Sequence, residues 1–121
     1  MNDYPWNDDA ERSLVGAALL DGGVLDNVAI RADHFGSIVW RACWEAMQEV
    51  HAEGKPLDPL VVTDRLQKRG APDTILCRLS EAYANTVTST NADHYADLIR
   101  ERWLGREIAS LAEELKQPGR T

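Results

Sequence analysis

Between Ser37 and Gly54 the apolar residues Trp40, Cys43, Trp44, Met47 and Val50 fall three and four positions apart. That spacing places them on one face of an α-helix and is incompatible with the two-residue period of a half-buried strand. The same period returns along the chain. Leu14, Val15, Ala18 and Leu19 form one stripe, Val62 and Leu66 another. Tyr95, Leu98, Ile99, Leu104, Ile108, Leu111 and Leu115 form the longest, with Asp97, Glu101 and Arg106 on its exposed side. Strand signals are scarce. Thr86-Val87-Thr88 is too short for a strand and has no partner run.

Punctuation residues divide these stripes into helices. Asp8 is expected to cap the first, with Glu11 in the reciprocal capping position. Asp21-Gly22-Gly23 ends it, and a short helix over 24–30 follows. Ser37 caps the helix bearing Trp40 and Trp44, and Gly54 ends it. Asp58-Pro59 opens the next helix, since proline fits the first helical turn, and Gly70 closes it. Asp73 to Ala84 forms a fifth helix. Residues 85–90, with four hydroxyl side chains, form a polar loop. Thr90 or Asn91 then caps the longest helix, from Ala92 to about Lys116, ended by Pro118-Gly119. The expectation is an all-α fold: a compact bundle of about five helices, then a longer C-terminal helix. The 121 residues suit a single domain, with a globular head over about 1–90 and the long helix over 91–117.

Composition narrows the functional classes. The formal net charge is -7, and an acidic surface repels a phosphate backbone, so DNA binding by this chain alone is expected to be weak. Two cysteines, Cys43 and Cys77, are too few for a disulfide framework, and Cys43 sits in an apolar helical pattern that suits a buried free thiol. No apolar run is long enough to span a membrane and the N-terminus lacks a secretory pattern, so the expected compartment is the cytoplasm.

Candidate chemistry fails on spacing. Gly54-Lys55 lacks the phosphate-loop glycine five residues earlier, where Glu49 stands, and the following Ser or Thr, where Pro56 stands. His51-Ala52-Glu53 has no Pro-Cys-x-x-Cys half to complete a zinc deaminase signature. His34, His51 and His94 lie in separate segments without ligand spacing. Asp8, Asp9 and Glu11 are better read as acids at a helix N-terminus than as a catalytic pair. No nucleophile elbow surrounds any serine. We therefore assign no catalytic, cofactor-binding or metal-binding residue. Trp40 and Trp44 suit the core. Trp103 lies beside the stripe of the last helix, and Trp103, Leu104, Ile108, Leu111 and Leu115 are the candidate interface.

The ordered segments resemble the N-terminal domain of DnaB-type replicative DNA helicases. Ala10 to Gly16 resembles that family's opening helix, with an Ala-Glu pair before a Leu-Gly step. Asp33-His34-Phe35 resembles its Asp-x-Phe turn, and Trp40-Arg41 stands where a helix usually begins His-Arg. Glu53-Gly54-Lys55-Pro56-Leu57-Asp58 is similar to its Gly-x-Pro-Ile-Asp element. Asn91, Tyr95 and Glu101 match the stretch that opens a helical hairpin. Val39 and Ile75-Leu76-Cys77 depart from the pattern, where His and a Gly-Gly pair are common. The resemblance implies a collar domain without chemistry of its own. It would support ring assembly through copies of itself and recruit primase. In such a parent, ATP, Mg and DNA belong to a separate RecA-like motor. The resemblance also implies that the last helix is the first arm of a hairpin and that the chain is a fragment of the parent. Two alternatives are the helicase-binding domain of a primase and a phage-encoded helicase loader or inhibitor that mimics this domain.

Overall fold

A computed structural model describes residues 5–116 of the chain. Among them are six α-helices: α1 (Asp8–Leu20), α2 (Val24–Asn27), α3 (Ile38–Ala52), α4 (Pro59–Lys68), α5 (Asp73–Asn85) and α6 (Ala92–Leu115). One 3₁₀ turn, Ala32–His34, precedes α3. No strand occurs among the described residues. The all-α expectation holds, with five helices preceding the long α6. The terminal Pro118-Gly119 stop lies outside the described residues.

Helix α1 is the central element. It packs against both α5 and α6, while α3 pairs with α4. The core is built from the stripes the periodicity picks out. Leu14, Val15, Trp40, Cys43, Trp44, Met47, Val62, Leu66, Leu79 and Ile99 are all buried. Burial pushes the Cys43 thiol up to about 12, so it packs as a small apolar side chain, whereas Cys77 is exposed. Arg65 on α4 and Arg69 at its C-cap brace α3. Arg65 bonds Glu49 and Glu53, and Arg69 bonds Glu45 and Glu49. Such surface pairs contribute little individually.

The stops behave as their residue types dictate. Gly54 and Gly70 adopt positive φ of 75° and 79°, where a side chain would be strained. Ser37 accepts from the Val39 amide at 3.2 Å and Asp58 from the Leu60 amide at 2.7 Å. Four expectations need correction. Helix α2 is one turn, ending at Asn27, because the chain runs extended from Val28. Asn91 occupies the N-cap of α6 but makes no side-chain cap bond. The cap of α1 is Asn7, whose side chain accepts from the Ala10 amide at 3.1 Å. Asp8 lies inside the helix. One carboxylate oxygen takes the Trp40 indole N–H at 2.8 Å, and the other pairs with Arg78 at 3.0 Å. Glu11 does not close a capping box either. It lies on the inner face of α1, is fully buried, and bonds a distant segment.

Candidate protein-interaction surface

Helix α6 divides into two halves. In the first, Ala92, Ala96 and Ile99 are buried against the head, with Tyr95 and Leu98 partly covered. In the second, Leu104, Ile108, Leu111 and Leu115 are 53%, 60%, 58% and 81% exposed. Their spacing of four, three and four gives a continuous seam of the kind that packs on another helix. Glu107 and Glu114 flank one side of the seam, and Gly105 and Ala112 the other.

The two halves meet at an anchor built around residues 33–37. Glu11 on α1 accepts the Gly36 and Ser37 amides at 2.8 and 3.1 Å. Arg41 on α3 donates to the Phe35 carbonyl at 2.7 Å. Arg106 on α6 donates to the His34 carbonyl at 2.8 Å and to the Pro5 carbonyl at 2.6 Å. This corrects the expectation that Arg106 faces solvent. It turns inward because these two carbonyls and the buried Glu11 carboxylate offer acceptors and a counter-charge. Trp6 covers Gly36, where a Cβ would collide with its side chain. Thus α1, α3, α6 and the N-terminal segment all hold one short turn.

Trp103 belongs to this anchor. Its ring meets the His34 imidazole edge-on at 4.7 Å, and the Arg31 guanidinium lies over it at 5.5 Å. It is half-buried by contacts within the chain, while the four aliphatic residues past it are not. The signal for the anchor was Glu11 itself, an acid sharing a helix face with apolar residues.

Titration at the anchor is opposed. Burial raises the Glu11 carboxyl above its usual range, while the Gly36 and Ser37 amides and the Arg106 charge lower it. Burial, with the positive charges of Arg31, Arg100 and Arg106, lowers His34, and Asp33 raises it. The imidazole Nδ1 accepts the Arg31 amide at 2.9 Å, which a protonated ring cannot do. His34 is thus kept neutral in the fold, and its contribution is present above its unfolded value of 6.5 and lost as pH falls through its folded value. Glu11 has the opposite sign. Its contribution is present below 4.5 and lost as pH rises through its raised folded value. Because Glu11 opposes His34, the His34 share is read as a difference: in urea unfolding, the native chain should lose at most about 1.4 kcal/mol more stability between pH 7.5 and 5.5 than His34→Asn does. His34→Asn, which keeps an acceptor but does not titrate, should flatten this part of the profile. An unchanged profile in the variant would remove His34 from the account.

No cluster of three or more metal-ligating side chains occurs among the described residues, nor does any helix there have the length and apolarity to cross a membrane. The fold is shared with a domain of known structure. The solved structure of the N-terminal domain of DnaB helicase from Mycobacterium tuberculosis superposes with a TM-score of 0.81 and 25% identity. It covers 91% of this chain and 81% of that one. A family model described as the DnaB-like helicase N terminal domain matches residues 3–101. The chain belongs to this family.

Full-length relatives agree. The replicative DNA helicase DnaB of Buchnera aphidicola is 27% identical over 97% of this chain, and that of Nostoc 30% identical over 95%. This DnaB-type domain spans only 26% and 14% of those two proteins. The family match falls on the helicase side, and does not favour the primase or loader alternatives. It stops at residue 101, just before the exposed seam of α6.

Proposed function

We propose that this DnaB-type domain is the collar of a replicative DNA helicase, supporting ring assembly and recruiting primase in DNA replication. The parent chain would be an ATP-dependent helicase, and its ATP, Mg and DNA sites would lie in a separate motor domain. The domain itself acts by contact. The observation that carries this reading is the second half of α6, an unpartnered seam of Leu104, Ile108, Leu111 and Leu115 beyond the anchor. Exposed contiguous apolar surface of this kind marks an interface. Burying three such side chains could contribute about 5 kcal/mol before the entropic cost of association, at roughly 1.5–3 kcal/mol each. The resulting self-association is weak and concentration-dependent.

Sedimentation of the 121-residue chain tests this. The native chain should form a dimer or larger species as concentration rises. Ile108→Asp with Leu111→Asp should return it to monomer while circular dichroism stays helical. A native chain that remains monomeric at high concentration overturns the assembly reading, and so does a double variant that unfolds. Primase recruitment is tested separately, by pull-down of a cognate primase with the native chain and the double variant.

A further inference from the structure

On the head, away from α6, lies an open cleft of about 720 Å³, within the usual size range of ligand clefts. Its apolar surface comes from Leu19, Leu20, Pro56, Leu57, Pro59 and Tyr83. Leu20 and Tyr83 are 41% and 42% exposed there. The walls are held by local bonds. The Gly54 amide bonds the His51 carbonyl at 3.0 Å, and Asp58 caps α4. Asp21 accepts the Gly23 amide at 3.0 Å, and His51 meets Asp26 at 2.9 Å, tying α3 to α2. These bonds shape the turns on either side of the cleft.

Its lining carries Lys55, His51 and Asp58, and Asp21 lies between the lining residues Leu20 and Gly22. Lys55 is already paired with Glu53, and His51 with Asp26. Asp58 in the lining and Asp21 beside it are exposed, and neither is in an ion pair among the described residues. Each uses one carboxylate oxygen on a backbone amide, which leaves the other to accept from outside. Gly22 keeps the cleft open. A Cβ there would meet only Leu57, at an ordinary 3.6 Å, and its backbone is not left-handed, so nothing inside the chain requires glycine.

We propose that this cleft binds a short cationic segment of a partner protein, one apolar side chain entering between Leu20 and Tyr83 and a neighbouring Lys or Arg meeting Asp21 and Asp58. A nucleic acid is excluded by the same carboxylates, and an acidic peptide is repelled. The site is separate from the α6 seam and does not depend on the collar reading.

Amide chemical-shift mapping of the native chain with an end-capped peptide of alternating Lys and Leu tests the site. Saturable shifts should concentrate at residues 19–23, 51–59 and Tyr83, and the matching Glu/Leu peptide should give none. Gly22→Leu fills the cleft and should abolish binding. Asp21→Asn with Asp58→Asn keeps both amide acceptors and should weaken it roughly tenfold. If Gly22→Leu unfolds, the paired asparagine variant decides. The proposal is overturned by shifts spread without saturation over the acidic surface, by shifts confined to α6, or by equal affinity in a folded variant.

Discussion

Replacing Glu11 by alanine should remove about 3–5 kcal/mol of folding stability, a large share of what a domain of this size has. The carboxylate is fully buried and accepts two backbone amides, from Gly36 and Ser37. Alanine leaves both donors without an acceptor and leaves the Arg106 guanidinium without its counter-charge. An unmet buried donor costs about 1–3 kcal/mol. Glu11→Gln should fall between, since its single oxygen can serve only one amide well and its NH₂ faces a donor. Urea unfolding followed by tryptophan fluorescence reads both. A cost below about 1 kcal/mol for Glu11→Ala would mean that water replaces the carboxylate, and the anchor would then lose its central role.

Two glycines on helices should respond in opposite directions. Gly16 sits where α1 crosses α5. A Cβ there would strike the Thr86 hydroxyl and come within 2.8 Å of the Ala82 carbonyl. The Thr86 hydroxyl also donates to that carbonyl at 2.7 Å, so moving it away from a Cβ breaks this bond. Gly16→Ala should destabilise by roughly 2–3 kcal/mol, overpacking outweighing the gain in helix propensity, and Gly16→Leu should not fold. Gly105 lies mid-helix in α6, and a Cβ there would have no neighbour within 4 Å. Gly105→Ala should raise stability by up to about 1 kcal/mol. Thermal melts of the two alanine variants give the comparison. A neutral Gly16→Ala would mean that the helices can separate at this crossing without loss.

Much of the fold is legible in the residues because local and tertiary preferences agree. The α3 stripe is helical by spacing, capped by Ser37 and stopped by Gly54, and each device acts within a turn of itself. Where the reading slips, a tertiary contact overrides a local rule. Asp8 and Glu11 match a capping pattern, yet Trp40 and Arg78 claim the first, and the residue 36–37 amides claim the second. Those partners lie 25 to 70 positions away. Arg106 looks like a solvent residue from its helical position alone, and only the fold reveals the carbonyls of Pro5 and His34 beneath it. The cleft on the head was not legible, because its lining comes from α1, the α3–α4 connection and α5, each ordinary alone.

The anchor also makes α6 a lever. Its fulcrum is the turn at residues 33–37, and beyond Arg106 the helix runs on to Leu115, an arm of about 14 Å at 1.5 Å per residue. A tilt of a few degrees at the fulcrum displaces the tip by about an ångström, enough to shift how the seam meshes with a facing helix. Arg106 grips the 3₁₀ turn and the N-terminal segment at once, so both share one point of attachment at the base of the arm.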